Sequence, residues 1–342
     1  MSQTAVERGV MRIGILGAGG LGKAACRIIE QKRELRVTAI CDSKGLLLSP
    51  DGLAASVIAS LPGDLVSGYT AASASQGQVV ARHCEDPIGA MAESTEICDG
   101  WLITLPNMPN AFIPGVIERF TRARQDLVFV DVLKRTAAVQ LLFGLDEQVK
   151  ASRSVVITGC GATPGLLTAA AVLAAQSFIS VERVDIWWGV GIANWDAYKA
   201  TIREDIAHLP GLSVERAQAM SDEEVDVFLA KTDGLLELHQ MEHADDVLLQ
   251  RVGVVQSPEQ VEVGGIMDTR HAKKPVSTTM TLTGITYEGK RSAHRFILGD
   301  ETTMAANVIG PALGYLKRAA WLRERGVFGV FGSTEFLPMV AQ

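Results

Sequence analysis

The residues Gly17-Ala18-Gly19-Gly20-Leu21-Gly22 set three glycines at the spacing GxGxxG. This spacing suits a backbone that must wrap a pyrophosphate. Gly17 allows the tight turn, Gly19 lets the main chain approach the phosphates, and Gly22 lets the next helix pack closely on the preceding strand. Gly20 and Leu21 open that helix, whose free N–H groups and partial positive charge face the anion. Asp42 stands twenty positions after Gly22, where a carboxylate is expected to hold the ribose hydroxyls. Asp42 favours NAD by accepting from the 2′-hydroxyl and repelling a 2′-phosphate, but Ser43 and Lys44 follow at once and could grip such a phosphate. NAD or NADP is the expected cofactor, with NAD ahead.

Further candidates fall where strands are expected to end, since open α/β sheets bind ligands at the carboxyl ends of their strands. In Thr104-Leu105-Pro106-Asn107, Leu105 and Pro106 are expected to skirt the nicotinamide ribose. In Asp131-Val132-Leu133-Lys134-Arg135, Lys134 could bind a substrate carboxylate, act in proton transfer, or be a surface lysine opening a helix. Asp131 could orient it or face solvent. The loop Gly159–Gly165 offers Thr163 as a helix N-cap and Pro164 as the first helical turn. A helix starting there either points donors at a substrate carboxylate or is a well-capped connection between domains. Cys160, in the same loop, is placed beside the cofactor as a small packing residue, because no base accompanies it to make it a nucleophile. Arg203 shares a helix face with Tyr198 and Lys199 and could clamp a carboxylate bidentately. Trp187 and Trp188 point to opposite faces of one strand, so at most one of them floors a pocket; Trp195 is a further candidate. His239 and His243 are read as a solvated helix face, and no metal is expected.

These residues need elements to hold them. Met11–Leu16 is a compact apolar run ending in glycines, as a buried parallel strand should be. Lys23–Gln31 follows as a helix and Leu35–Cys41 as a second strand. Further strands are expected near Gly100–Thr104, Leu127–Asp131 and Ser154–Gly159, with helices at Asn110–Arg124 and Thr136–Ala151 between them. Such alternation gives βαβ units and a doubly wound parallel sheet of Rossmann type. Leu46–Ser94 reads as a loop over the sheet edge. After Cys160 the pattern changes. A helix at Pro164–Ser177 and a strand at Val181–Val190 come first. Helices at Trp195–Leu209 and Ser221–Ala230 follow, then strands at Leu249–Val254, Gln260–Ile266, Ser277–Thr286 and Lys290–Leu298. The last two are joined in a hairpin at Glu288-Gly289. The expected fold class is therefore α/β, with a second α+β domain of mostly antiparallel sheet. The boundaries are 1–163 for the dinucleotide-binding domain, 164–302 for a substrate or dimerisation domain, and helices in 303–342 packing back on the first.

Composition bounds the partners. A formal charge of −7 leaves no basic footprint for nucleic acid or an anionic membrane. No apolar run approaches the length of a membrane span. The five cysteines lack CxxC spacing and form an odd set, which fits reduced thiols in a cytoplasmic compartment. A small-molecule substrate and a homodimer are expected.

The chain resembles the saccharopine dehydrogenase-like oxidoreductases. The resemblance rests on the glycine turn, on Gly159-Cys160-Gly161 with Pro164-Gly165-Leu166, and on Gly289-Lys290-Arg291 with Gly299-Asp300-Glu301-Thr302-Thr303. More distantly it is similar to homoserine dehydrogenases, through Ala39-Ile40-Cys41-Asp42-Ser43 and Gly45 to Pro50-Asp51-Gly52-Leu53. These likenesses imply NAD(P)-dependent hydride transfer to or from an imine or carbonyl of an amino-acid-derived substrate. The homoserine enzymes' lysine after the fifth strand lies close to Lys134. Two other readings stay open. One is a dinucleotide-binding sensor or assembly factor without catalysis, and the other a homoserine- or dihydrodipicolinate-type reductase.

Overall fold

The apolar run Met11–Leu16 forms strand β1, buried over its last four residues, and it is central to a parallel sheet. The computed structural model describes residues 9–72, 78–106, 108–192, 202–207, 209 and 211–342. From β1 the chain runs through α1 (Gly20–Ile29), β2 (Leu35–Cys41), β3 (Gly45–Leu48), α2 (Ala55–Ser60), α3 (Leu65–Ala72), β4 (Val80–His83) and α4 (Pro87–Glu93). Then come β5 (Gly100–Ile103), α5 (Phe112–Ala123), β6 (Val128–Asp131), α6 (Thr136–Phe143), α7 (Asp146–Ala151) and β7 (Val155–Thr158). The second unit, Leu167–Met304, begins within α8 (Leu166–Ala175). That unit holds β8 (Phe178–Gly191), α9 (Ile202–Ile206), α10 (Val214–Gln218), α11 (Asp222–Ala230), β9 (Leu235–Leu238) and α12 (Asp245–Arg251). It continues with β10 (Val261–Asp268), β11 (Thr279–Thr286) and β12 (Arg291–Ile297). Helix α13 (Met304–Glu324) and strand β13 (Gly329–Gly332) close the chain, and Ala305–Gln342 belongs to the first unit with Met1–Leu166.

In the first unit the strand order is β13-β7-β6-β5-β1-β2-β3-β4. All neighbours are parallel except β2–β3 and β3–β4. Strands such as Val128–Asp131 and Val155–Thr158 are buried at every residue, because helices cover both faces. One layer sets Ala25 and Ile29 of α1, Ile58 of α2, and Leu313 and Leu316 of α13 against Ile13, Ile15 and Val130. The other sets Met91 of α4, Phe120 of α5 and Val149 of α7 against Leu16, Ile103 and Phe129. This is the doubly wound Rossmann architecture expected from the alternating periodicities.

The second unit has strand order β12-β11-β8-β10-β9. Its pairings are antiparallel apart from β8–β10, so the mostly antiparallel sheet is present. On one side Ile202, Ala217, Val225 and Leu229 pack against Leu236 and Met267.

Several elements differ from the sequence reading. The segment read as an edge loop carries β3, α2, α3, β4 and α4. Leu249–Val254 is not a strand; it overlaps the end of α12 and the turn after it. Asp245 and Asp246 in the first turn and Arg251 in the last match the helix dipole there, whereas a short apolar run does not fix the period. The helix expected from Pro164 begins at Leu166. A cis Thr163-Pro164 bond and a Gly161–Gly165 bridge occupy the preceding residues. Of the helix expected over Trp195–Leu209, α9 is described; Trp195, Tyr198 and Lys199 lie outside the described residues. Among the described residues no helix is long and apolar enough to cross a membrane.

Candidate functional site

The glycine turn joins β1 directly to α1, and two of its glycines are required by the fold itself. Gly17 has φ 110, and a Cβ there would stand 2.8 Å from the Thr104 carbonyl oxygen. A Cβ on Gly22 would stand 1.9 Å from the Gly17 carbonyl oxygen. The Thr104 hydroxyl donates to that same oxygen at 2.8 Å, fastening the loop of Leu105 and Pro106 to the turn. Gly19 and Gly20 differ: both are exposed, and a Cβ on either would meet nothing within 4 Å. Leu21 packs partly buried against the core.

Asp42 lies at the end of β2, but its carboxylate is engaged by the chain. Oδ1 accepts from the amides of Lys44 and Gly45 at 2.8 and 3.0 Å, and Oδ2 from the amide of Leu65 at 3.0 Å. These bonds clasp the turn from β2 into β3 and the first residue of α3. Ser43 and Lys44 are exposed on that turn.

The turns after β6 and β7 meet at one residue, Asp131. Its side chain is fully buried. Oδ1 accepts from the Leu133 amide at 3.0 Å, the Thr158 hydroxyl at 2.9 Å and the Gly159 amide at 3.0 Å. Oδ2 is buried and has no partner among the described residues. Burial pushes this carboxyl up to about 6, against the lowering effect of its three donors. Asp131 therefore neither faces solvent nor bonds the Lys134 side chain; it holds the backbone of the turn that carries Lys134. Lys134 itself is half-buried and makes no hydrogen bond or ion pair among the described residues. Next to it, Arg135 donates to the Met108 carbonyl at 3.0 Å, linking this turn to the one after β5.

Cys160 is buried, donates to the Ile157 carbonyl at 3.3 Å, and is pushed well above the usual thiol range by burial. It stays a thiol and packs, as a residue without a base should. Thr163 and Pro164 precede the helix, which begins at Leu166, so Thr163 does not stand at its N-cap position and Pro164 is not in its first turn.

In the second unit Arg203 is spent on structure. It donates to the Met220 carbonyl at 2.9 Å and to Asp222 at 2.7 Å, tying α9 to the start of α11. Trp187 and Trp188 do face opposite ways: Trp187 lies 4.9 Å from the His239 ring, while Trp188 packs toward α9–α11. The two histidines are not one helix face, because they lie between β9 and α12. His239 is exposed beside Glu237 and Glu262. His243 is buried, with Nδ1 2.5 Å from Asp245, whose other oxygen accepts from Thr168 at 2.5 Å. The sequence reading missed this Thr168–Asp245–His243 set, since nothing in local spacing brings Thr168 to a residue 77 positions away. Among the described residues no group of three or more His, Cys, Asp or Glu could hold a metal ion.

No family model matches the chain. The (S)-8-amino-7-oxononanoate synthase BioU of Haloferax mediterranei is 42% identical, over 95% of this chain and 98% of that protein. Among solved structures, the DAP dehydrogenase of C. glutamicum in complex with DAP has a TM-score of 0.54 at 14% identity, covering 95% and 93% of the two chains. The saccharopine dehydrogenase (L-Glu forming) of Saccharomyces cerevisiae has a TM-score of 0.51 at 11% identity, covering 95% and 94%. Identities this low show a shared fold and nothing further.

The synthase relative corrects the expected family. The likeness to saccharopine dehydrogenases is one of fold, read from diffuse glycine motifs that any Rossmann sheet reuses. The expected NAD(P)-dependent hydride transfer, the nicotinamide cofactor and the place in amino-acid metabolism are corrected on the same ground, because the relative is a synthase. The non-catalytic sensor and the homoserine- or dihydrodipicolinate-type reductase are set aside with them. The chain is an enzyme, and at this identity and coverage it belongs to the (S)-8-amino-7-oxononanoate synthase BioU family.

Proposed function

We propose that this enzyme is an (S)-8-amino-7-oxononanoate synthase serving biotin synthesis, and that it binds this amino-oxo acid. The observation that carries the reading is the 42% identity with the BioU synthase across nearly the whole of both chains. The compound is a nine-carbon acid with a carboxylate at one end and, at the other, a ketone beside an amine. A methylene run separates the two ends.

Lys134 is the residue proposed to meet it. A lysine amine without a partner, at the carboxyl end of a parallel strand, is matched to a ketone, since amines add to carbonyl carbons. Its half-buried position and freedom from ion pairs leave it available for this. Two further features belong to the proposal. A homodimer is supported by β12, which is exposed at every residue on an open sheet edge. A cytoplasmic site of action is supported by five free cysteines.

The test has two arms. Purified protein is titrated with (S)-8-amino-7-oxononanoate by calorimetry, and the gene is expressed in a strain that requires this compound. Saturable binding and restored growth are expected, both lost in Lys134→Ala. Folded protein that neither binds nor restores growth would overturn the reading.

A further inference from the structure

One carboxyl oxygen in this protein gathers three donors from two different turns, while its twin has none. Oδ1 of Asp131 takes the Leu133 amide from the turn after β6, and the Thr158 hydroxyl and Gly159 amide from the end of β7. Thr158 in turn accepts from the Ser333 amide at 3.0 Å through its carbonyl, so the same point is tied to the end of β13. A buried oxygen without a partner is costly, and so is a buried carboxylate. A fold that needed only a clasp here would be served by an asparagine, whose amide oxygen accepts the same bonds. Costly ionisable groups of this kind cluster at functional sites.

We propose that Asp131 is a positioning residue: its ionised carboxylate locks the Lys134 turn to the Gly159–Gly165 turn, and that lock sets the affinity for the amino-oxo acid. The second half rests on the proposed function, and the first does not. An ionised acceptor makes shorter and stronger hydrogen bonds than a neutral one. Gain of a proton therefore slackens all three bonds at once, and loss of it tightens them. The neighbouring groups do not blur this. β5 presents Ile103 beside Asp131 and β7 presents Thr158. Cys160 in the following turn and Tyr315 on α13 are both pushed upward by burial and stay neutral. Lys134, three residues on, makes no bond to the carboxyl.

The lock is tested without ligand by following the backbone amide resonances of Leu133 and Gly159 while pH is raised through about 6. Both are expected to move with one common midpoint in the wild type and to stay still in Asp131→Asn. In Thr158→Val the midpoint should rise, because the carboxylate loses a donor. Independent midpoints, or the same step surviving in Asp131→Asn, would overturn the lock. The functional half is read by calorimetry with (S)-8-amino-7-oxononanoate. Wild-type affinity should tighten at least about fivefold across that pH range, as coupled equilibria of this size do, and Asp131→Asn should lose that dependence. If the wild type binds with a flat profile, or Asp131→Asn keeps the step, the link to affinity is wrong. If the wild type shows no binding at any pH, the proposed function and the affinity claim fail together, and the amide titration still decides the lock. Should Asp131→Asn fail to fold, Thr158→Val carries the same two readouts.

Discussion

The hydroxyl of Thr104 donates to the carbonyl oxygen of Gly17 at 2.8 Å, and a Cβ on Gly22 would lie 1.9 Å from that same atom. One backbone oxygen thus fixes the loop after β5 and the first turn of α1. Gly22→Ala cannot be accommodated without moving the turn. Its cost is expected at about 1–3 kcal/mol, as for other overpacked sites, seen as a lower midpoint in thermal denaturation. Gly19→Ala and Gly20→Ala meet nothing within 4 Å and should stay within about 0.5 kcal/mol. If either of these weakens ligand binding while leaving the midpoint unchanged, the open space above the turn is used by a ligand rather than by the fold.

Asp131 should make stability depend on pH in a direction opposite to that of an ordinary ion-paired carboxylate. Its folded-state value is raised from 3.8 to about 6, so the folded chain holds the proton more tightly than the unfolded one. Stability from this group is therefore full below the unfolded value and is lost as pH rises toward about 6. Asp131→Asn lacks that loss. Its stability relative to wild type should increase by on the order of 2–3 kcal/mol between the acid and neutral ends of the window. Urea denaturation at a series of pH values checks this; a difference that is constant with pH would contradict the buried ionisation.

Lys134→Met should separate function from fold. The side chain has no partner to lose, so stability is expected to hold within about 0.5 kcal/mol in chemical denaturation. Growth of the strain that requires (S)-8-amino-7-oxononanoate should nevertheless fail.

The two histidines should part company on substitution. His243→Ala removes a partner from Asp245, which is wholly buried, and should cost about 1–3 kcal/mol. His239→Ala, on an exposed ring, should cost under about 0.5 kcal/mol. Comparable losses for both would mean that the Thr168–Asp245–His243 set does not hold α8 to α12.

Legibility in the sequence followed apolar pattern and period. Met11–Leu16, Leu35–Cys41 and Val155–Thr158 are mostly apolar runs, interrupted only by Arg12, Arg36, Thr38 and Thr158, and they are strands. Val80–His83 is exposed throughout, so no burial pattern marks it. Val247-Leu248-Leu249 suits a strand or a helix equally, and the helix forms because acidic and basic residues bracket it at the correct ends. Site residues behaved likewise. Lys134 and Asp131 stand out from the end of an apolar strand, but the role of Asp131 depends on Thr158 and Gly159, 27 and 28 positions away.

By itself the sequence determined the doubly wound parallel sheet, the antiparallel-rich second sheet and the glycine turn between β1 and α1. Each of these is written in local periodicity and in glycines whose absent side chains the backbone requires. The tertiary structure alone decided which polar groups are free. It closed Asp42 with three backbone amides, tied Arg203 to α11, buried His243 against Asp245, and left Lys134 unpaired three residues after a buried carboxyl with one unpartnered oxygen. Such outcomes depend on which distant donor arrives at each atom, and chain packing brings those donors together from positions that no local pattern connects.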